Sequence, residues 1–195
     1  IYGHHAALAV MNNPERQIQQ VLATRKFVDS CESDLPDQAL KIVDRLEIDK
    51  VLPENAVHQG IAVLTDPLPD QHLDEILAQC KDDETAILIV LDHVTDPRNV
   101  GAVMRSAAAF GCAAVIVHDR HTPPVAGALS KAASGALEVV PLVSVGNLAQ
   151  AMKELKEAGF WCVGLEGAAP HALAEINLSG KTALFLGAEG AGLRR

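Results

Sequence analysis

From residue 86 onward, short apolar runs are separated by longer amphipathic stretches. The runs at 86–91, 113–117, 139–143, 160–165 and 182–186 are rich in Ile, Leu, Val and Ala and read as buried strands. Between them, residues 100–110, 125–134 and 148–158 predict helices. Strands alternating with helices pack as a mostly parallel sheet covered by helices, an α/β fold. The first part of the chain is less regular. It predicts a helix at 5–12, a strand at 18–22, a helix at 36–46 and a strand at 60–64, which together make a small α/β unit. The stretch from Thr65 to Asp70 holds two prolines and two aspartates and suits an exposed linker. Residues 73–80 then read as a lead-in helix. The expected organisation is a unit at 1–66, a linker and helix at 67–82, and a larger unit at 83–195.

Candidate chemistry lies at the ends of two of these strands. After the run at 86–91 comes a polar loop, then a helix of small residues. Pro97 disfavours helical geometry at Asp96, and Asn99 is a good N-cap residue for the run that follows. On that helix Arg105 and Ser106 are the only long or hydroxylated polar side chains. Arg105 reads either as a surface or ion-paired residue or as a group reaching an anion in the cleft at the carboxyl end of the strand. The run at 182–186 enters Gly187, Ala188, Glu189, Gly190, Ala191 and Gly192. Three glycines in six residues let backbone approach a ligand closely, or simply make a tight turn. The pattern is neither GxGxxG nor a Walker A loop, and Glu189 would repel a pyrophosphate laid on the amides.

Taken together, NVGAVMRSAAAFG and LFLGAEGAGLRR resemble the first and second signature motifs of the SpoU/TrmH family of RNA ribose methyltransferases. The resemblance runs over nearly the whole chain. Tyr2-Gly3-His4 and the segment from Ala56 to Val63 look like the small N-terminal substrate-binding domain of the branch that modifies guanosine in large-subunit ribosomal RNA. The stretch from Ser130 to Ala136 and Val140-Pro141-Leu142 match the connection between the motifs. The resemblance implies a SPOUT-type α/β-knot methyltransferase domain, S-adenosyl-L-methionine as cofactor, ribosomal RNA as substrate and a homodimer; a cytoplasmic location is expected from the lack of a bilayer-length apolar run and of a leader pattern. General topology rules argue against knots, so the knot rests on the resemblance alone. A tRNA ribose methyltransferase and a non-catalytic RNA-binding protein on the same fold are the alternatives. A nucleotide-binding oxidoreductase is a third reading of the glycine loop.

By the same resemblance, Arg105, Asn99 and Glu189 are the catalytic candidates. A guanidinium is a poor base at neutral pH, so Arg105 is assigned phosphate clamping and stabilisation of the developing alkoxide. Glu189, or a water it orients, is the candidate proton acceptor, and Asn99 is expected to orient Arg105 or the ribose. Gly187 and Gly190, with Gly164, Leu165 and Gly167, are expected to contact the cofactor. Arg98, Lys131 and Arg194 are the RNA-binding candidates. The family's third motif, which supplies a Ser and an Asn and completes the knot, has no counterpart up to Arg195, so the knot's C-terminal segment is absent from this chain.

Composition narrows the field only modestly. The chain is 49% apolar, as a folded protein should be, and has no apolar run approaching the roughly 20 residues that cross a bilayer. Its net charge of −9 runs against an RNA-binding surface. Residues 1–82 carry −7 of it and residues 83–195 only −2, which leaves room for local positive patches in the larger unit. Cys31, Cys80, Cys112 and Cys162 form no CxxC pair. The histidines show no metal spacing, and His4, His5 and His58 read as surface or turn-bonded residues, so no metal is expected.

Overall fold

The computed structural model describes residues 1–31, 35–119, 127–190 and 192–193. In the N-terminal unit, helix α1 (His4–Asn12) is followed by strand β1 (Ile18–Ala23), helix α2 (Arg25–Ser30), strand β2 (Leu40–Ile42), helix α3 (Arg45–Val51) and strand β3 (Ile61–Thr65). β1 is the central strand of the sheet, parallel to β2 and antiparallel to β3. Ala7, Val10, Val21, Phe27, Ile61 and Val63 form its core.

The helix expected at 36–46 is not formed. Residues 40–42 pair with Val21, Leu22 and Ala23, and Val43 donates its amide to the carbonyl of Ala23. Pairing with a neighbour nearly twenty residues away outweighs the local helical pattern here. Asp44, in an extended conformation, then opens α3. His58 is turn-bonded as expected, yet it is buried: its Nδ1 accepts from the Gly60 amide at 3.1 Å and its Nε2 lies 3.2 Å from Asp49.

The second unit begins with helix α4 (Leu73–Gln79) and continues through β4 (Ala86–Asp92), α5 (Pro97–Ala109), β5 (Ala114–His118), α6 (Ala128–Ala133), a 3-10 turn at Ala136–Glu138, β6 (Leu142–Val145), α7 (Leu148–Glu157), β7 (Trp161–Leu165) and β8 (Lys181–Gly187). The five strands are all parallel, in the order β6-β5-β4-β8-β7. Leu88, Val90, Ile116 and Phe185 pack with α4 and α7 on one face, and Leu91, Val115 and Val117 pack with α5 and α6 on the other. A sheet buried on both faces explains why its strands read as unbroken apolar runs.

The strand expected at 139–143 starts later, because Ala136–Glu138 forms the 3-10 turn first. The helix expected at 125–134 is observed as α6, and its first two expected residues lie outside the described ones. Among the described residues no helix is long and apolar enough to cross a membrane.

Candidate functional site

β4 and β8 are hydrogen-bonded neighbours in the middle of the sheet, with Asp92 opposite Gly187. The two motif-bearing turns therefore leave the same rim from adjacent strands. Open α/β sheets bind ligands at this carboxyl-end rim.

The first turn differs from expectation in one respect. Asp96, not Asn99, is the N-cap of α5: its side chain accepts from the Arg98 amide at 2.8 Å, with Pro97 as the first helical residue. Proline's fixed φ and missing amide suit that position, so the helix starts earlier than an Asn99 cap would allow. Asn99 then stands in the first turn with its side chain free of capping, and its Nδ2 donates to Glu189 Oε2 at 3.5 Å. Two exposed polar groups ninety residues apart are brought together.

The second turn folds back on itself. The Gly192 amide donates to the Ala188 carbonyl at 2.9 Å, and Gly190 and Gly192 have φ of 82° and 67°. A Cβ on Gly187 would lie 2.0 Å from the Gly192 carbonyl carbon. The close approach that requires glycine at 187 thus comes from its own turn. The return carries Leu193 over Gly164, where an added Cβ would meet Leu193 Cδ1 at 2.8 Å.

Arg105 does not join Asn99 and Glu189. It lies six residues after Asn99, which at 3.6 residues per turn points it in a different direction. Its Nη1 donates to the Ala132 carbonyl of α6, and the side chain is exposed. Arg98 is exposed at the start of α5. Lys131 faces the N-terminal unit, donating from Nζ to the Val57 carbonyl at 2.6 Å. Arg194 lies outside the described residues.

Two cavities open at the rim. One of about 690 Å³ is walled by Gly164, Leu165, Glu166 and Gly167 and by the segment from Ala169 to Leu173, with Ile176. It gathers three of the five expected cofactor contacts, leaving out Gly187 and Gly190. The other, about 610 Å³, is lined by Asp92, His118, Asn147, Met152, Phe185 and Leu193 among others, and shares Gly164.

Asp92, His118 and Asn147 were not singled out from sequence. Their positions carry the only available signal, since Asp92 and His118 end β4 and β5 and Asn147 caps α7, accepting from the Ala149 and Gln150 amides at 2.9 and 3.1 Å. Cys162 also lines this cavity; burial pushes its thiol above the ordinary range, with Lys156 pulling weakly the other way. Among the described residues, no three His, Cys, Asp or Glu side chains come together as a metal site.

A profile of the SpoU rRNA Methylase family matches residues 86–195. The chain is 41% identical to the 23S rRNA (guanosine-2'-O-)-methyltransferase RlmB of Vibrio parahaemolyticus, an alignment covering all of this chain and 81% of that protein. It is 37% identical to the protein of the same description from Pasteurella multocida, covering all of this chain and 82% of the relative. Among solved structures, the SpoU methyltransferase AviRb from Streptomyces viridochromogenes in complex with AdoMet aligns with a TM-score of 0.75 at 20% identity, over all of this chain and 75% of that one. The AdoMet-bound rRNA methyltransferase from Sinorhizobium meliloti gives 0.75 at 21%, over all of this chain and 72% of that one. These structural likenesses speak for the fold.

Proposed function

The chain belongs to the SpoU rRNA methylase family, and from that premise we propose that it methylates the 2'-hydroxyl of a guanosine ribose in large-subunit ribosomal RNA, using S-adenosylmethionine. The observation that carries this reading is the meeting of Asn99 and Glu189 at one rim, from turns on adjacent parallel strands. The RlmB relatives, matched over the whole chain, supply the substrate class. A cytoplasmic site of action and a homodimer belong to the same proposal.

The cavity beside β7 fits the cofactor. Its volume lies in the range of small-molecule sites, and a Cβ on Gly167 would meet nothing within 4 Å, so main-chain groups there are open to a ligand. Gly164, Leu165 and Gly167 are the residues proposed to hold it, with Gly187 and Gly190 shaping the adjoining turn. S-adenosylmethionine supplies an electrophilic methyl group on a sulfonium sulfur. The protein must then align the ribose oxygen with that carbon and take up the hydroxyl proton.

Glu189 is assigned the proton, directly or through a water, and Asn99 the task of orienting its carboxylate. Arg105, exposed on the same face of α5 as Arg98 seven residues before it, is assigned to the RNA phosphate. A planar guanidinium that can pair with two phosphate oxygens at once suits that role.

The test is to incubate full-length protein and methyl-labelled S-adenosylmethionine separately with ribosomal and transfer RNA from a strain lacking the protein, then digest to nucleosides. Label in 2'-O-methylguanosine from ribosomal RNA is expected. Label on transfer RNA would change the substrate, and label on a base would remove ribose methylation.

A further inference from the structure

Among the described residues, three of the places where the N-terminal unit meets the larger unit fall on one short segment. At the first, Arg16 meets Glu138 through two donors, Nε at 2.9 Å and Nη2 at 2.8 Å, and Asn13 adds a third bond to the same carboxylate at 2.9 Å. The Arg16 and Glu138 side chains are only 5% and 6% exposed. The remaining Arg16 nitrogen donates to the Asp66 carbonyl at the start of the linker, at 2.8 Å. At the second, Lys131 donates to Val57 with its ammonium 5.8 Å from the centre of the Tyr2 ring. At the third, Gly135, at φ +94°, leaves room for Ala9 of α1, whose Cβ would lie 2.6 Å from a Cβ added there.

All three contacts fall on α6 and the turn that follows it. α6 also presses on α5. A Cβ on Gly101 would meet the Cβ of Ala132 at 2.5 Å, and the carbonyl of Ala132 is the one that holds Arg105. Two consecutive residues thus face opposite ways in function: Lys131 grips the N-terminal unit and Ala132 holds the arginine of the first motif.

We propose that the N-terminal unit is a fixed wall of the catalytic site and not a swinging arm, and that Arg16, Glu138 and Lys131 are positioning residues that set Arg105 through α6. The assignment rests on the ribose methylation proposed above. An ion pair removed from water is costly unless its hydrogen bonds are satisfied, and removing one partner leaves an uncompensated charge. Here Glu138 accepts three bonds and Arg16 donates three, which suits a permanent joint. A surface that merely touched when RNA arrived would have to expose and rebury these charges at each cycle.

The experiment uses full-length protein carrying Glu138→Gln, Lys131→Met or Arg16→Lys. Amide hydrogen exchange of α1 and α6, S-adenosylmethionine affinity, ribosomal RNA affinity and single-turnover methylation at saturating RNA are measured on each. Faster exchange in both helices is expected, with cofactor affinity nearly unchanged. The saturating rate should fall on the order of a hundredfold for Glu138→Gln, as misplacement of a positioned group by about 1 Å can do, and RNA affinity should change far less. Arg16→Lys keeps the charge but loses the two-pronged fit, so its rate should fall between.

If Glu138→Gln does not fold, Lys131→Met carries the same expectation, since it removes a single contact. Faster exchange with a wild-type rate and only weakened RNA affinity would make the unit a capture arm and overturn the proposal. Unchanged exchange would overturn it as well. A wild-type protein that transfers no methyl to ribose would instead contradict the preceding reading, while the exchange still decides whether the unit is docked.

Discussion

Glycine 187 illustrates how a residue can be recognisable in sequence while its reason is not. Its place at the end of an apolar strand suggests contact with a ligand, yet the atoms nearest to a substituted Cβ belong to Gly192 of its own turn. Gly187→Ala should therefore destabilise the protein even without cofactor, by about 1–3 kcal/mol or more as expected for overpacking, and denaturant unfolding of the apo protein measures it. A stability equal to wild type would mean that the turn does not close in solution.

The buried thiols give a second residue-level expectation. Burial raises Cys80 and Cys112 above the ordinary thiol range, with Asp83 adding to the shift at Cys80. Their protonated forms are favoured by folding, so this contribution is complete below the unfolded thiol pKa and disappears as pH rises through the raised values. Unfolding midpoints should decline over that alkaline interval, and the decline should lessen in Cys112→Ala.

Among the elements, α5 combines what was legible with what was not. Its small-residue surface, its proline start and its single interior arginine are visible as a pattern. The cap is not, because Asp96 and Asn99 are both good cap residues and only the tolerance of proline at the first helical position decides between them. Displacing Asn99 from the cap frees it to meet Glu189, so the misread position is a functional candidate. The small residues also have a use on α5: Gly101 admits α6. In an ordinary helix interior Gly→Ala would stabilise by about 1 kcal/mol. Gly101→Ala should instead destabilise, since the new methyl would lie 2.5 Å from Ala132 Cβ and 2.7 Å from its backbone. Chemical denaturation decides the sign, and a stabilised variant would contradict the close packing of α5 on α6.

For the molecule as a whole, the parallel sheet was readable because its strands are buried on both faces and so appear as continuous apolar runs. The convergence of the two motifs was readable only through resemblance, since nothing in periodicity places 86–92 beside 181–187. The edge strand at 40–42 and the Arg16–Glu138 joint were not readable at all. Both depend on partners distant in sequence, 122 residues apart in the case of the ion pair, and a lone arginine or glutamate looks like any solvated charge. Size-exclusion chromatography with light scattering should return twice the protomer mass for the full-length protein, and a monomer at micromolar concentration would remove the dimer from the proposal.

Primer extension at limiting nucleotide concentration on large-subunit ribosomal RNA reads the proposed product itself, because a ribose 2'-O-methyl group stalls the polymerase beside the modified nucleotide. RNA from a strain lacking the protein is compared with RNA from the same strain supplied with wild type or Arg105→Ala, and one stall at a guanosine is expected that wild type restores and Arg105→Ala does not. An identical stall pattern in all three RNAs would contradict it.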